Sequence, residues 1–144
     1  MSSRYEFRLA GETEGEALRS ILRQSPMPGH ISLAFAREPS FFIAERAGNM
    51  GHQTLVCECR ATNRIVGVGS RSSRKLYVDG VPKTVGYLSS LRLLPEARNG
   101  LTFTRGYRYL RDLHRDGQTP YYLTTVLGDN LPAQRLLESG RGGW

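Results

Sequence analysis

The stretch from Val85 to Tyr109, VGYLSSLRLLPEARNGLTFTRGYRY, decides how this chain reads. Val85, Tyr87, Leu88, Leu91, Leu93 and Leu94 form a nearly continuous apolar run, interrupted by Gly86, Ser89, Ser90 and Arg92. Such a run suits a strand covered on both faces. Pro95 has no N–H for a ladder, so the strand ends there. After an Arg-Asn-Gly turn, Phe103, Tyr107, Leu110 and His114 recur at helical spacing, while Arg105, Arg108, Arg111 and Arg115 gather on another face. The pattern predicts a helix. A strand that turns through glycine into a helix leaves free backbone N–H groups at the positive end of the helix dipole. That is a seat for an anion such as phosphate.

Working outward, 144 residues suggest one domain, 1–144, with a core large enough to need neither metal nor disulfide. The net charge of +7 comes from 18 Arg and 2 Lys against 13 acids. A basic excess draws polyanions in general: nucleic acid, an acidic membrane or a phosphate-rich cofactor. Cys57 and Cys59 stand two apart, as residues on one side of a strand do. Two sulfurs do not complete a zinc site, so no metal is expected. The N-terminus has no apolar leader and no segment reaches membrane-spanning length, which makes a reducing cytoplasm the expected compartment.

The rest of the chain alternates short elements. Tyr5 to Leu9 reads as a strand, and Thr13 with Glu16 reads as a capping box opening a helix to about Gln24. Pro26 and the pair Pro28-Gly29 break it. A further helical turn or two is expected between His30 and Arg37, then an edge strand or extended connector from Phe41 to Ala47. Met27, Phe35, Phe41 and Phe42 are apolar, and burial on a sheet is their plainest role. Strands follow from Thr54 to Arg60 and from Ile65 to Gly69, then a basic patch at Arg71, Arg74 and Lys75. Asp79-Gly80 is a hairpin signal leading into the central strand. This antiparallel meander excludes a doubly wound parallel sheet. A strand from Tyr121 to Leu127 and a last helix capped by Asp129 or Asn130 complete the pattern.

The run from Leu91 to Gly100 resembles the fourth strand and pyrophosphate loop of the GNAT (GCN5-related N-acetyltransferase) superfamily. Asp129-Asn130 with Ala133 and Leu136-Leu137 is similar to that family's last helix. The resemblance covers most of residues 4–140 in order. It implies an α+β fold, a twisted, mostly antiparallel mixed sheet with helices on both faces. The family loop is written Q/R-x-x-G-x-G/A, and here only Arg98 and a shifted Gly100 match. Leu137 stands where many members carry a tyrosine acid, and no carboxylate lies on the central strand. The resemblance implies a further strand pair after the last helix, before which this sequence ends. The expectation is that a second copy covers the edge of the strand from Tyr121 to Leu127 in a homo-oligomer, that the chain is a piece of something longer, or that the fold is trimmed.

The resemblance implies acetyl-CoA, or another acyl-CoA, as cosubstrate and a small or peptide amine as acceptor, with Met27, Phe35, Phe41 and Phe42 as candidates for lining the acceptor pocket. The N–H groups of Asn99, Gly100, Leu101 and Thr102 would hold the pyrophosphate with Arg98 beside them. Leu91 N–H would polarise the acyl carbonyl, Leu93 would pair with the pantetheine arm, and Asn130 would touch the cofactor or cap its helix. For the base, Tyr87, Ser89 and Ser90 lie on the central strand, and Glu58 is the nearest carboxylate. For the acid, Tyr121 or Tyr122 would replace the missing tyrosine. The leading reading is N-acyltransfer. Its rivals are a non-catalytic acyl-CoA-binding domain and a basic nucleic-acid-binding module. Against the last, the arginine face of the central helix lacks the interleaved aromatics of a single-strand platform.

Overall fold

The computed structural model describes residues 3–27, 30–31, 33–34 and 36–140. Five strands lie in chain order across one sheet: β1 (Tyr5–Leu9), β2 (Gly51–Cys59), β3 (Arg64–Val78), β4 (Val81–Leu93) and β5 (Tyr122–Leu123). The first four pair antiparallel, and β5 joins β4 in parallel. The helices are α1 (Gly15–Gln24), α2 (Phe41–Arg46), α3 (Gly100–His114) and α4 (Leu131–Glu138). Helices α1 and α2 cover one face, where Leu18, Ile21, Leu22 and Phe41 pack on Val56, Val66 and Val68. The other face carries α3 and α4, with Tyr107, Leu110 and Leu136 against Leu55 and Leu88. This is the expected mixed α+β architecture. Among the described residues no helix is long and apolar enough to cross a membrane.

Several expectations are met in detail. Asp79 and Gly80 both have positive φ, as the two-residue turn between β3 and β4 requires. Asn130, one of the two expected caps, caps α4. The helix α3 opens on a cap that was not anticipated, Asn99, whose Oδ1 accepts from Thr102 N at 2.8 Å.

Others are corrected. Residues 41–47 form neither strand nor connector but helix α2. Phe41, Phe42 and Glu45 fall on one helical face and are buried, while Ile43 between them is 71% exposed. Phe41 and Phe42 are core residues rather than pocket lining, and Phe35 lies outside the described residues. No helix forms between His30 and Arg37 among the described residues. Met27 and Leu33 exchange backbone hydrogen bonds there, at 2.8 and 3.2 Å. The cap before α1 belongs to Gly11, whose N–H donates to Glu14 Oε2 at 2.7 Å. Glu16 instead pairs with Arg19 and Arg23. The strand expected from Ile65 to Gly69 continues through the basic patch to Val78 as β3.

The strand expected from Tyr121 to Leu127 shrinks to two residues. Gly86 admits the Tyr122 ring against β4, since a Cβ there would lie 2.2 Å from it. Beyond this point side chains replace the ladder: Thr124 Oγ1 donates to the Leu88 carbonyl at 2.9 Å, and the Tyr87 and Thr125 hydroxyls share a hydrogen bond at 2.8 Å. The long apolar edge that suggested self-association is absent among the described residues.

Candidate active site

The site begins with a fault in β4. Val68 pairs with Arg92 and Ser70 with Ser89, so β4 takes three steps where β3 takes two. The extra residue is a β-bulge, and Ser90 within it has φ of 55°. A serine held in the left-handed region costs about 1–3 kcal/mol, which the neighbouring packing must offset. In a regular strand Ser90 would share the face of Leu88. The bulge turns it to the α1/α2 face, where its Oγ donates to Glu45 Oε1 at 3.2 Å. Because the β4–β5 ladder stops at Tyr87 and Leu123, the two strands splay past this bulge. The gap is a cleft of about 780 Å³ that runs through the sheet.

Its two halves differ in chemistry. Toward α3 and α4 the lining is mostly apolar, with Leu91, Phe103, Tyr107, Leu110 and Leu136, edged by Arg98 and Arg135. Toward α1 and α2 it is polar. Alternation along β3 puts Ser70, Ser72 and Arg74 on that face, joined by Glu45, Tyr87 and Ser90.

Glu45 is the centre of the polar half. Its side chain is 4% exposed, and Arg37 Nε donates to its Oε1 at 2.5 Å. His52 Nδ1 stands 4.0 Å from Glu45 Oε2, while its Nε2 shares a hydrogen bond of 2.7 Å with the Thr54 hydroxyl. Burial lowers the His52 pKa, opposed by the Glu45 charge and aided by Arg46. The imidazole is therefore neutral near pH 7. One ion pair, one hydroxyl and one neutral ring thus surround a carboxylate that opens on the cleft.

Of the residues the sequence singled out, Met27, Tyr87, Ser89, Ser90, Leu91, Leu93, Arg98 and Asn130 line the cleft. The Leu93 carbonyl accepts from Arg98 Nε at 2.7 Å. The presumed anion seat is half used by the protein itself. Asn99 N–H donates to the Ala97 carbonyl at 3.0 Å, and Thr102 N–H is taken by the Asn99 cap. Gly100 and Leu101, exposed and following Arg98 in the chain, keep N–H groups without an intrachain acceptor among the described residues, but Asn99, Gly100, Leu101 and Thr102 are not part of the cleft lining.

Glu58 lies elsewhere, accepting from Arg8 at 2.5 Å in a cluster shared with Glu14. Tyr122 is outside the cleft lining too. Its hydroxyl accepts from Arg71 Nε at 2.8 Å, and Arg71 grips Asp116 with both terminal nitrogens at 2.7 and 2.8 Å. Cys57 and Cys59 are buried, and burial pushes the Cys57 thiol up to about 11. Among the described residues no group of three potential metal ligands assembles. Glu45 is the residue that sequence reasoning missed. The signal was present in the Ser40-Phe41-Phe42 start followed by Glu45 one helical turn on, hidden by the expectation of a strand.

No family model and no curated protein sequence matches the chain. Solved structures do. A Trypanosoma brucei acetyltransferase superposes with a TM-score of 0.62 at 21% identity, over 92% of this chain and 90% of that one. The aminoglycoside 6′-N-acetyltransferase AAC(6′)-Iy, solved with a CoA bisubstrate analogue, gives 0.67 at 18% over 95% and 89%. Glucosamine-6-phosphate N-acetyltransferase from Arabidopsis thaliana gives 0.66 at 14% over 97% and 91%.

Proposed function

We propose that this chain, which has the GNAT acetyltransferase fold, transfers an acyl group from acyl-CoA to a primary amine. The observation that carries the reading is the cleft through the sheet, with a buried carboxylate and a strained serine at the β4 bulge on one side and an apolar half on the other. That apolar half, edged by Arg98 and Arg135 and with two open amides following Arg98 in the chain, fits a long thioester arm ending in a diphosphate. Bound acetyl-CoA supplies the thioester, whose acyl carbon is transferred to the amine as the sulfur departs.

The chain's own groups then divide the work. Gly100 and Leu101 N–H groups, with Arg98, receive the diphosphate. Leu91 N–H, in the part of β4 with no β5 partner, polarises the acyl carbonyl as a preorganised dipole. Glu45 takes the proton from the incoming ammonium, directly or through the Ser90 hydroxyl, and the Arg37 guanidinium holds the carboxylate in position. Leu137 lines the cleft where a tyrosine acid would stand, so no α4 side chain returns a proton to sulfur. The proton given up by the attacking nitrogen meets that need.

The test is thiol release from acetyl-CoA across a panel of primary amines. Amine-dependent release supports acyl transfer. Calorimetric binding of coenzyme A without release for any amine replaces it with a binding domain, and absence of both removes the reading.

A further inference from the structure

The charges of the polar half say what kind of amine it accepts, taking the acyl-transfer reading as given. Among the described residues its lining holds one carboxylate, Glu45, and Arg37 already neutralises it at 2.5 Å. Two further arginines reach the same half. Arg92 is committed to backbone, donating to the Ser25 and Leu91 carbonyls at 2.9 and 2.7 Å. Arg74 is not committed in that way. Its Nε donates to the neutral Asn49 Oδ1 at 2.7 Å, its guanidinium lies 5.6 Å from the Tyr87 ring centroid, and it meets no carboxylate among the described residues. Asn49 and Tyr87 hold this cation in place without cancelling its charge.

Position completes the argument. Tyr87 pairs with Ser72, and Ser89 pairs with Ser70 beside the bulge. The Arg74 guanidinium above Tyr87 therefore stands about 7 Å along β4 from Ser89, two residues of strand. A polycationic amine entering here meets an unneutralised arginine and no spare carboxylate. An amine that also carries a negative group finds a partner at each end.

We infer that the acceptor is a primary amine bearing an oxyanion, a carboxylate or a phosphate, several bonds from the nitrogen, and that Arg74 receives it. Arginine suits both groups through its planar fork of donors. Arg74 is a specificity-determining residue in this account, not a catalytic one.

The experiment is calorimetric titration of the full chain, with and without saturating coenzyme A. The probes are aminohexanoate against hexylamine, glucosamine 6-phosphate against glucosamine, and spermidine. We expect the acid-bearing member of at least one pair to bind tenfold or more tighter than its neutral counterpart. The pair that shows the gap identifies the oxyanion. Arg74→Met should erase the gap, and Arg74→Lys should restore part of it. Equal binding within both pairs, tighter binding of spermidine, or a gap that survives Arg74→Met overturns the inference. Coenzyme A failing to bind contradicts the acyl-transfer reading separately, because the arms without coenzyme still report on Arg74.

Discussion

The two halves of the cleft are built in opposite ways. The α3/α4 half is backbone and apolar surface: the edge of β4 over a floor of Phe103, Tyr107 and Leu110, with the two exposed amides that open α3 following Arg98 in the chain. The α1/α2 half works through side chains brought from four places in the chain, with Arg37, Glu45, Arg74 and Ser90 as its members. Backbone contacts survive changes of sequence, whereas a side-chain constellation fails when one member is lost. The first half therefore suits a shared cosubstrate and the second a particular acceptor.

That contrast predicts unequal responses to substitution. The largest belongs to Glu45→Gln, which should lower kcat by about 10²–10⁴-fold, the usual loss for a proton-transfer group. Coenzyme A affinity by calorimetry should not change. A loss of coenzyme binding instead would break the separation of the two halves.

Gly100→Pro should do the reverse. Position 100 opens α3, where proline is tolerated, and a Cβ there meets nothing within 4 Å. The variant loses one charge-facing N–H, so the coenzyme A Kd should rise roughly tenfold or more with the melting temperature retained.

Smaller again is Asn99→Ala. It removes the α3 cap and should destabilise the fold by about 1 kcal/mol in urea unfolding. It also frees the Thr102 amide, so it sharpens how much of the anion seat the cap occupies.

The smallest effect is a pH dependence in the polar half. His52 has a lowered pKa in the fold because it is buried. The unfolded chain takes up that proton at a higher pH than the folded one. The stability it contributes is complete above the unfolded value of about 6.5 and is lost as pH falls toward the folded value. Melting curves between pH 7.5 and 5.5 should fall for the native chain and fall less for His52→Gln.

What the sequence disclosed follows the same division. The strand ending before Pro95, the helix after the Arg-Asn-Gly turn, the Asp79-Gly80 turn and the order of elements were legible because each rests on local geometry. The polar half was not, because its members meet only through tertiary placement. Arg71 and Arg74 look like one basic patch in the chain, yet alternation along β3 sends Arg71 to Asp116 under α3 and Arg74 into the cleft. Glu45 stood in a segment whose two phenylalanines suited strand and helix alike. The Ser90 bulge has no local signature, since its φ is imposed by the unequal pairing of β3 with β4. Tyr122 looked available as an acid until a buried arginine claimed its hydroxyl.

The most direct measurement is backbone amide hydrogen exchange with and without acetyl-CoA. The account predicts new protection at Gly100, Leu101 and residues 89–93, with little change around Glu58 and Tyr122. Unaltered exchange at Gly100 and Leu101 under saturating acetyl-CoA, or protection confined to another surface, would contradict it.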